Sequence, residues 1–290
     1  MKKIILLLIL GAIAYGAYVL FRNPGELNSI TPRIIDYFDF PVKENPSKYV
    51  RTLKAAVISL PSHPDKKENI DKIKSIIENT LADDIDVKLI IFGETSLGLY
   101  NGGDKYQKNI AETIPGPFTK ILADYAMRNN IHIAAGMAEW KEGKLYNSLV
   151  VVDPFGKIAA VHRKRIFNSI DEANGFTKAD LNHQVVTVDG FRFGLALSGE
   201  ADDKWLFDQY QKENLDALIC PVSSEIPWYS RWLDYWPYAK KYKAWILSPN
   251  RVGTEGGVDF DGTVFVASPG GYIDFRENPA NNKLVYLIGK

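Results

Sequence analysis

Glu94, Lys164, Glu172, Ser198 and Glu200 stand where apolar runs of this chain break off, and together they have a chemical logic. The run Phe193 to Leu197 stops at Ser198-Gly199-Glu200 and leads at once into a helix-like segment. A small polar residue followed by glycine between a strand and a helix presents its side chain at a sharp elbow, the setting of a nucleophile. The other reading is that Ser198 caps the following helix, since serine is a favoured N-cap. Glu94 follows Leu89 to Phe92, Lys164 ends Ala159 to Lys164, and Glu172 comes eight residues later. A carboxylate can take a proton from a nucleophile and return it to a leaving amine. A lysine can stabilise a tetrahedral oxyanion. A second carboxylate can position the first, or the substrate amine. Singly, each reads as a solvated charge at a strand end; together they describe acyl transfer.

The elements that must carry these residues follow from periodicity. Apolar runs predict strands at Leu53 to Leu60, Val87 to Phe92, His132 to Met137, Leu145 to Val152, Ala217 to Val222 and Ala244 to Pro249. Ile70, Ile73, Ile77 and Leu81 fall on one face of a helix at Asn69 to Leu81, and further helices are predicted at Pro117 to Asn130, Asp203 to Glu213 and Ser230 to Lys243. The turns Asp153-Pro-Phe-Gly156 and Asp189-Gly190 predict hairpins, as does Ser268-Pro-Gly-Gly271 between strands at Val264 to Ala267 and Tyr272 to Phe275, with Leu284 to Ile288 closing the chain. Strand–helix alternation in two halves, with inserted hairpins, predicts an α/β domain of two face-to-face sheets with helices outside, over residues 52–290.

The chain has 290 residues, 46% of them hydrophobic, with 35 basic and 35 acidic side chains. A formal net charge of zero and the lack of a basic stripe argue against nucleic acid as partner. Cys220 is the single cysteine, so an intrachain disulfide and a cysteine-based zinc site are excluded; it sits in an apolar run and reads as a core residue. His63, His132, His162 and His183 lack ligand spacing, and the sequence calls for neither metal nor cofactor. Ile4 to Phe21 carries no charge and follows Lys2 and Lys3. Its 18 residues reach roughly 27 Å as a helix, enough for a single transmembrane anchor. A cleaved signal peptide ending near Ala12-Ile-Ala14 is the rival reading. With an anchor, the two lysines put the N-terminus in the cytoplasm and the domain outside the cell membrane. Residues 22–51 read as a linker.

In order along the chain, Phe92-Gly-Glu-Thr-Ser-Leu-Gly98, then Leu145-Tyr-Asn-Ser148 with Asp153-Pro-Phe-Gly-Lys157 and His162-Arg-Lys-Arg165, then Phe193 to Glu200, then Ser248-Pro-Asn-Arg-Val-Gly253 with Phe260-Asp-Gly262 and Ser268 to Gly271, resemble the motifs of the nitrilase, or carbon–nitrogen hydrolase, superfamily. The resemblance spans most of residues 53–288. It implies an αββα sandwich, often paired through its sheets, and a Glu–Lys–Cys site with a second glutamate. On this chain Glu94 would be the general base, Lys164 the oxyanion stabiliser and Glu172 the supporting carboxylate. Glu200 is similar to the acidic residue of the Cys-Tyr-Glu form of the nucleophile motif, and the resemblance makes it a candidate contact to the acyl or amide substrate. With an anchor, that form resembles the nitrilase domain of apolipoprotein N-acyltransferases, which carry several spans rather than one. The implied partners are a small amide or lipid acyl donor, a second copy of the chain, or a membrane protein.

The family nucleophile is cysteine, and Ser198 stands in its place. A thiol is partly ionised near neutral pH, whereas a hydroxyl needs far more help from its base. The serine fits three readings: a replacement that traps an inert protein, a natural protein that binds without turnover, or a site that works through serine. The segment Trp228 to Trp245 holds four of the six tryptophans. It reads as a helix packed over the sheet, or as a rim against membrane or acyl substrate, with Trp228 and Tyr229 as candidate substrate contacts.

Overall fold

A computed structural model describes residues 44–225, 237–276 and 283–290, and these belong to one compact unit, Lys43–Lys290. Two six-stranded sheets form its centre. The first runs β14-β1-β2-β3-β4-β5, from β14 (Lys283–Gly289), β1 (Thr52–Ile58), β2 (Val87–Phe92), β3 (His132–Lys141), β4 (Lys144–Val152) and β5 (Ile158–Arg163). The second runs β13-β12-β9-β8-β7-β6, from β13 (Ile273–Arg276), β12 (Val264–Ala267), β9 (Trp245–Pro249), β8 (Ala217–Ile219), β7 (Phe191–Leu195) and β6 (Val185–Val188). Each sheet has three parallel strands at its middle, β1-β2-β3 and β7-β8-β9, and antiparallel strands outside them.

Alternation along each strand divides the apolar residues between two cores. On β1, Ala55 and Val57 face the second sheet, and join Leu89, Ile91, Phe193, Leu195, Ile219 and Trp245. Ala56 and Ile58 face the other way, onto helices α1 (Lys66–Asp83) and α3 (Pro117–Asn129), where Ile73, Ile77, Phe118 and Leu122 are buried. Helix α5 (Lys204–Glu213) covers the outside of the second sheet: Tyr210 donates to the Leu195 carbonyl at 2.6 Å, and a side chain at Gly194 would collide with Leu215 and Tyr210. The layers are therefore helix, sheet, sheet, helix, as expected.

The Asp189-Gly190 turn has positive φ at both residues, 44° and 79°, which suits a two-residue hairpin between β6 and β7. A two-stranded hairpin unforeseen from the sequence, β10 (Val252–Glu255) and β11 (Val258–Asp261), turns on Gly256-Gly257. Helix α2 (Asp104–Ile110) and the one-turn helix α4 (Ser169–Ala173) were also not foreseen. Within the expected linker, residues 44–51 pack onto the domain: the Tyr49 ring meets Trp245 edge-on, and Arg51 and Lys290 exchange main-chain hydrogen bonds. Among the described residues no helix is long and apolar enough to cross a membrane; the expected span at residues 4–21 lies outside them.

Candidate active site

The chemistry-bearing residues lie just beyond the carboxyl ends of strands from both sheets, where α/β sheets leave a crevice. Glu94 follows β2, Lys164 follows β5, Ser198 follows β7, and Asn250 and Arg251 follow β9. The loop after β2 comes so close to β3 that a side chain at Gly136 would meet Glu94 Cα at 2.6 Å and Thr95 N at 2.7 Å. Main-chain hydrogen bonds from Gly136 N to Gly93 O (3.1 Å) and from Ser96 N to Gly136 O (2.7 Å) tie the two together. Ser198 sits at φ +50°, in the left-handed region, at the first residue of a 3-10 turn, Ser198–Asp202. This is the elbow reading. The capping alternative is not what forms: Asp203 accepts from Leu206 N and caps α5, while Ser198 Oγ donates to Glu94 Oε2 at 2.9 Å.

Glu94 is fully buried and its other oxygen is also engaged. Lys164 Nζ donates to Oε1 at 2.8 Å, and Asn147 Nδ2 to the same oxygen at 2.7 Å. Lys164 reaches a second carboxylate, but it is Asp171, at 2.7 Å from Oδ2. Glu172 is not the supporting carboxylate: its side chain is 65% exposed and stands 3.7 Å from Lys178. The cause is the helix start. Asn168 caps α4 by accepting from Ile170 N and Asp171 N, and Asp171 Oδ2 accepts from Asn168 N at 3.1 Å. That reciprocal box turns Asp171 inward, and the next residue, about 100° further round the helix, points out.

Two buried carboxylates share one ammonium, and their acidities are pushed apart. Burial alone would raise the Glu94 carboxyl, but the charge and hydrogen bond of Lys164 outweigh it and hold Glu94 below the usual range. Burial and the Glu94 charge raise Asp171, with Lys164 opposing them. Burial would lower Lys164, yet Glu94 and Asp171 hold it above its ordinary value. Tyr100, whose ring centroid lies 5.6 Å from Lys164 Nζ, is raised first by burial and then by the Glu94 charge, and its hydroxyl donates to Asn168 Oδ1 at 3.0 Å. The arrangement can remove a proton from Ser198, carry it, and place a fixed positive charge beside the reacting atoms.

Glu200 is not a substrate contact. It is wholly buried, 2.5 Å from His162 Nε2, and accepts from Arg165 N at 2.7 Å and Leu197 N at 2.9 Å, so it holds the elbow against β5. Cys220 is buried under the elbow, with Sγ 3.6 Å from the Ser198 carbonyl. Trp228 and Tyr229 lie outside the described residues. From the same aromatic segment, Tyr242 packs edge-on to Phe207 on α5, and Trp245 is buried between the sheets, so these two serve packing. Asp171, Asn147, Tyr100 and Arg251 were missed as site residues. For Asp171 the signal was present, an Asn three residues ahead of an Asp at a helix start.

The carbon–nitrogen hydrolase family model matches residues 54–273. A nitrilase of Pyrococcus abyssi is 28% identical over 216 residues, which are 71% of this chain and 76% of that protein. An omega-amidase of Danio rerio is 29% identical over 119 residues, 41% of this chain and 42% of that protein. The crystal structure of a carbon–nitrogen hydrolase from Helicobacter pylori matches with a TM-score of 0.72 at 18% identity, covering 82% of this chain and 89% of that one; at that identity the likeness concerns the fold.

Proposed function

The chain is a member of the carbon–nitrogen hydrolase (nitrilase) family, and from that premise we propose that it is an amidase or N-acyltransferase acting through residue 198. The observation that carries the reading is the 2.9 Å hydrogen bond from Ser198 Oγ to Glu94 Oε2 at a left-handed elbow, with Lys164 on the other carboxylate oxygen. Ser198 Oγ attacks the carbonyl carbon of the donor while its proton passes to Glu94. The electron pair displaced from the carbonyl rests on its oxygen, stabilised by the Lys164 ammonium. Collapse breaks the carbon–nitrogen bond, and the amine leaves with the proton from Glu94. Water in an amidase, or a second amine in an acyltransferase, then attacks the acyl carbon and gives a proton to Glu94; the bond to Ser198 Oγ breaks and that oxygen takes the proton back. Asp171 holds Lys164, and no cofactor enters.

Glu94 held below its usual range is a weak base for a hydroxyl, so the serine site is slow. Ser198→Cys is expected to raise the release of ammonia or amine from short amides by on the order of a hundredfold, the span of a general-base contribution. The control is Ser198→Ala. A thiol variant no faster than the alanine variant would sink the reading.

The serine standing where the family has a thiol favours a second reading, a binding subunit that recognises an amide or acyl group without turnover. It predicts co-purification with a membrane partner that survives Glu94→Ala. Pairing of two copies through the sheets remains an alternative arrangement for either reading. The uncharged stretch Ile4 to Phe21 behind Lys2 and Lys3 supports a single-pass anchor with the domain outside the cytoplasmic membrane. Carbonate-washed membranes should retain the full chain and release one lacking residues 1–21.

A further inference from the structure

Arg251 is 2% exposed, and every arm of its guanidinium points at the loop carrying Glu94 or at the residue that holds that loop's far end. Nη1 donates to the Glu94 carbonyl and, at 2.7 Å, to Thr95 Oγ1. Nη2 donates to the Gly98 carbonyl and to Ser62 Oγ. Nε donates to Glu255 Oε1 at 2.7 Å, and Glu255 Oε2 accepts from the main-chain N–H groups of Tyr100 (2.6 Å) and Asn101 (3.1 Å). One buried ion pair at the root and end of β10 therefore grips loop 94–101 at both ends. A second observation bears on the same spot. Thr95 sits at φ +47°, which a β-branched residue adopts only when its surroundings compel it. The two groups Arg251 Nη1 holds, Glu94 O and Thr95 Oγ1, flank that strained bond. Burying an ion pair is a poor route to stability, because desolvation cancels most of the attraction; orienting the loop accounts for it better.

We infer that Arg251, braced by Glu255, is the positioning residue for the general base: it sets where the Glu94 carboxylate stands against the nucleophile. The inference rests on reading Glu94 as the base for residue 198. A misplacement of about 1 Å can cost a hundredfold in rate.

The test uses the full chain with Arg251→Lys, Arg251→Met and Glu255→Gln, read in two ways. Crystal structures give the separation of Ser198 Oγ from Glu94 Oε2. In a Ser198→Cys background, acylation by a p-nitrophenyl ester is followed to saturation, alongside melting temperature. The expected result for Arg251→Met is a separation opened by about 1 Å and an acylation rate constant lowered ten- to a hundredfold. The half-saturating ester concentration should stay within about twofold, and Arg251→Lys should recover part of the rate. A lower melting temperature with the rate constant and separation unchanged would overturn the inference. If Arg251→Met does not fold, Arg251→Lys and Glu255→Gln decide. If the thiol variant is not acylated with Arg251 intact, the proposed function fails on its own, and the crystallographic separation still decides the role of Arg251.

Discussion

Asp171 and Glu172 are neighbours with the same chemistry, yet one helical step sends the first to Lys164 and the second into solvent. Asp171→Asn should lower the acylation rate of the Ser198→Cys protein at least tenfold, on the scale of a lost charge partner beside an oxyanion donor. Glu172→Gln should leave it within about twofold, because an exposed ion pair contributes little. A reversed order would return the supporting role to Glu172. Within the site, the acid side of stability is shared by Glu94 and Glu200, both held low against burial, the second by His162. The folded pKa of Glu94 lies below the ordinary 4.5, so below that value the unfolded chain binds more protons. The contribution is whole above about pH 4.5 and is lost as the pH falls through the folded pKa. Asp171, raised rather than lowered, contributes in the opposite sense. Urea midpoints across pH should therefore show a flatter acid limb for Glu94→Gln than for the unchanged chain. At this scale the sequence displayed Glu94, Lys164 and Ser198, since each follows an apolar run. It hid Asn147 and Arg251, whose parts depend on contacts 53 and 157 residues away.

The elements were more legible than their meetings. Continuous apolar runs marked β1, β2, β4 and β9, because central strands are buried on both faces. The β10–β11 hairpin went unforeseen, although Glu255-Gly-Gly-Val258 is a two-residue turn signal between its short arms. What the runs do not state is where one element presses on another. Gly136 is the instance that matters, since its bare backbone lets the Glu94 loop lie on β3. Gly136→Ala puts a methyl 2.6 Å from Glu94 Cα. Overpacking of this kind costs about 1–3 kcal/mol, and acylation of the Ser198→Cys protein should fall further than stability does. Equal stability and rate in denaturant titration and ester assay would mean the loop relaxes without moving the base.

For the whole molecule, two stacked sheets bring strand ends that are a hundred residues apart in sequence to one site: Ser198 and Glu94 are separated by 104 positions. Resemblance to a family, rather than periodicity, gave the pairing of those ends. Residues 44–51 belong to a stretch that reads as tether because Pro, Asn, Ser and charges mix along it, but Tyr49 lies over Gly289 and meets Trp245. Tyr49→Ala should cost about 2–3 kcal/mol, at or below the low end of what removing a buried ring costs, because Tyr49 is only half-buried. The urea midpoint reports it; no change would return the segment to a loose linker. The account's central claim is that Glu94, Lys164 and residue 198 form one acyl-transfer site. Intact-protein mass spectrometry after incubation with activated esters and amides tests it most directly, on the unchanged chain, Ser198→Cys, and Ser198→Cys with Glu94→Gln. The account predicts a single acyl adduct that forms fast on Ser198→Cys, slowly on the unchanged chain, and far more slowly once Glu94 is lost. No adduct on any of them, or one indifferent to Glu94, would contradict it.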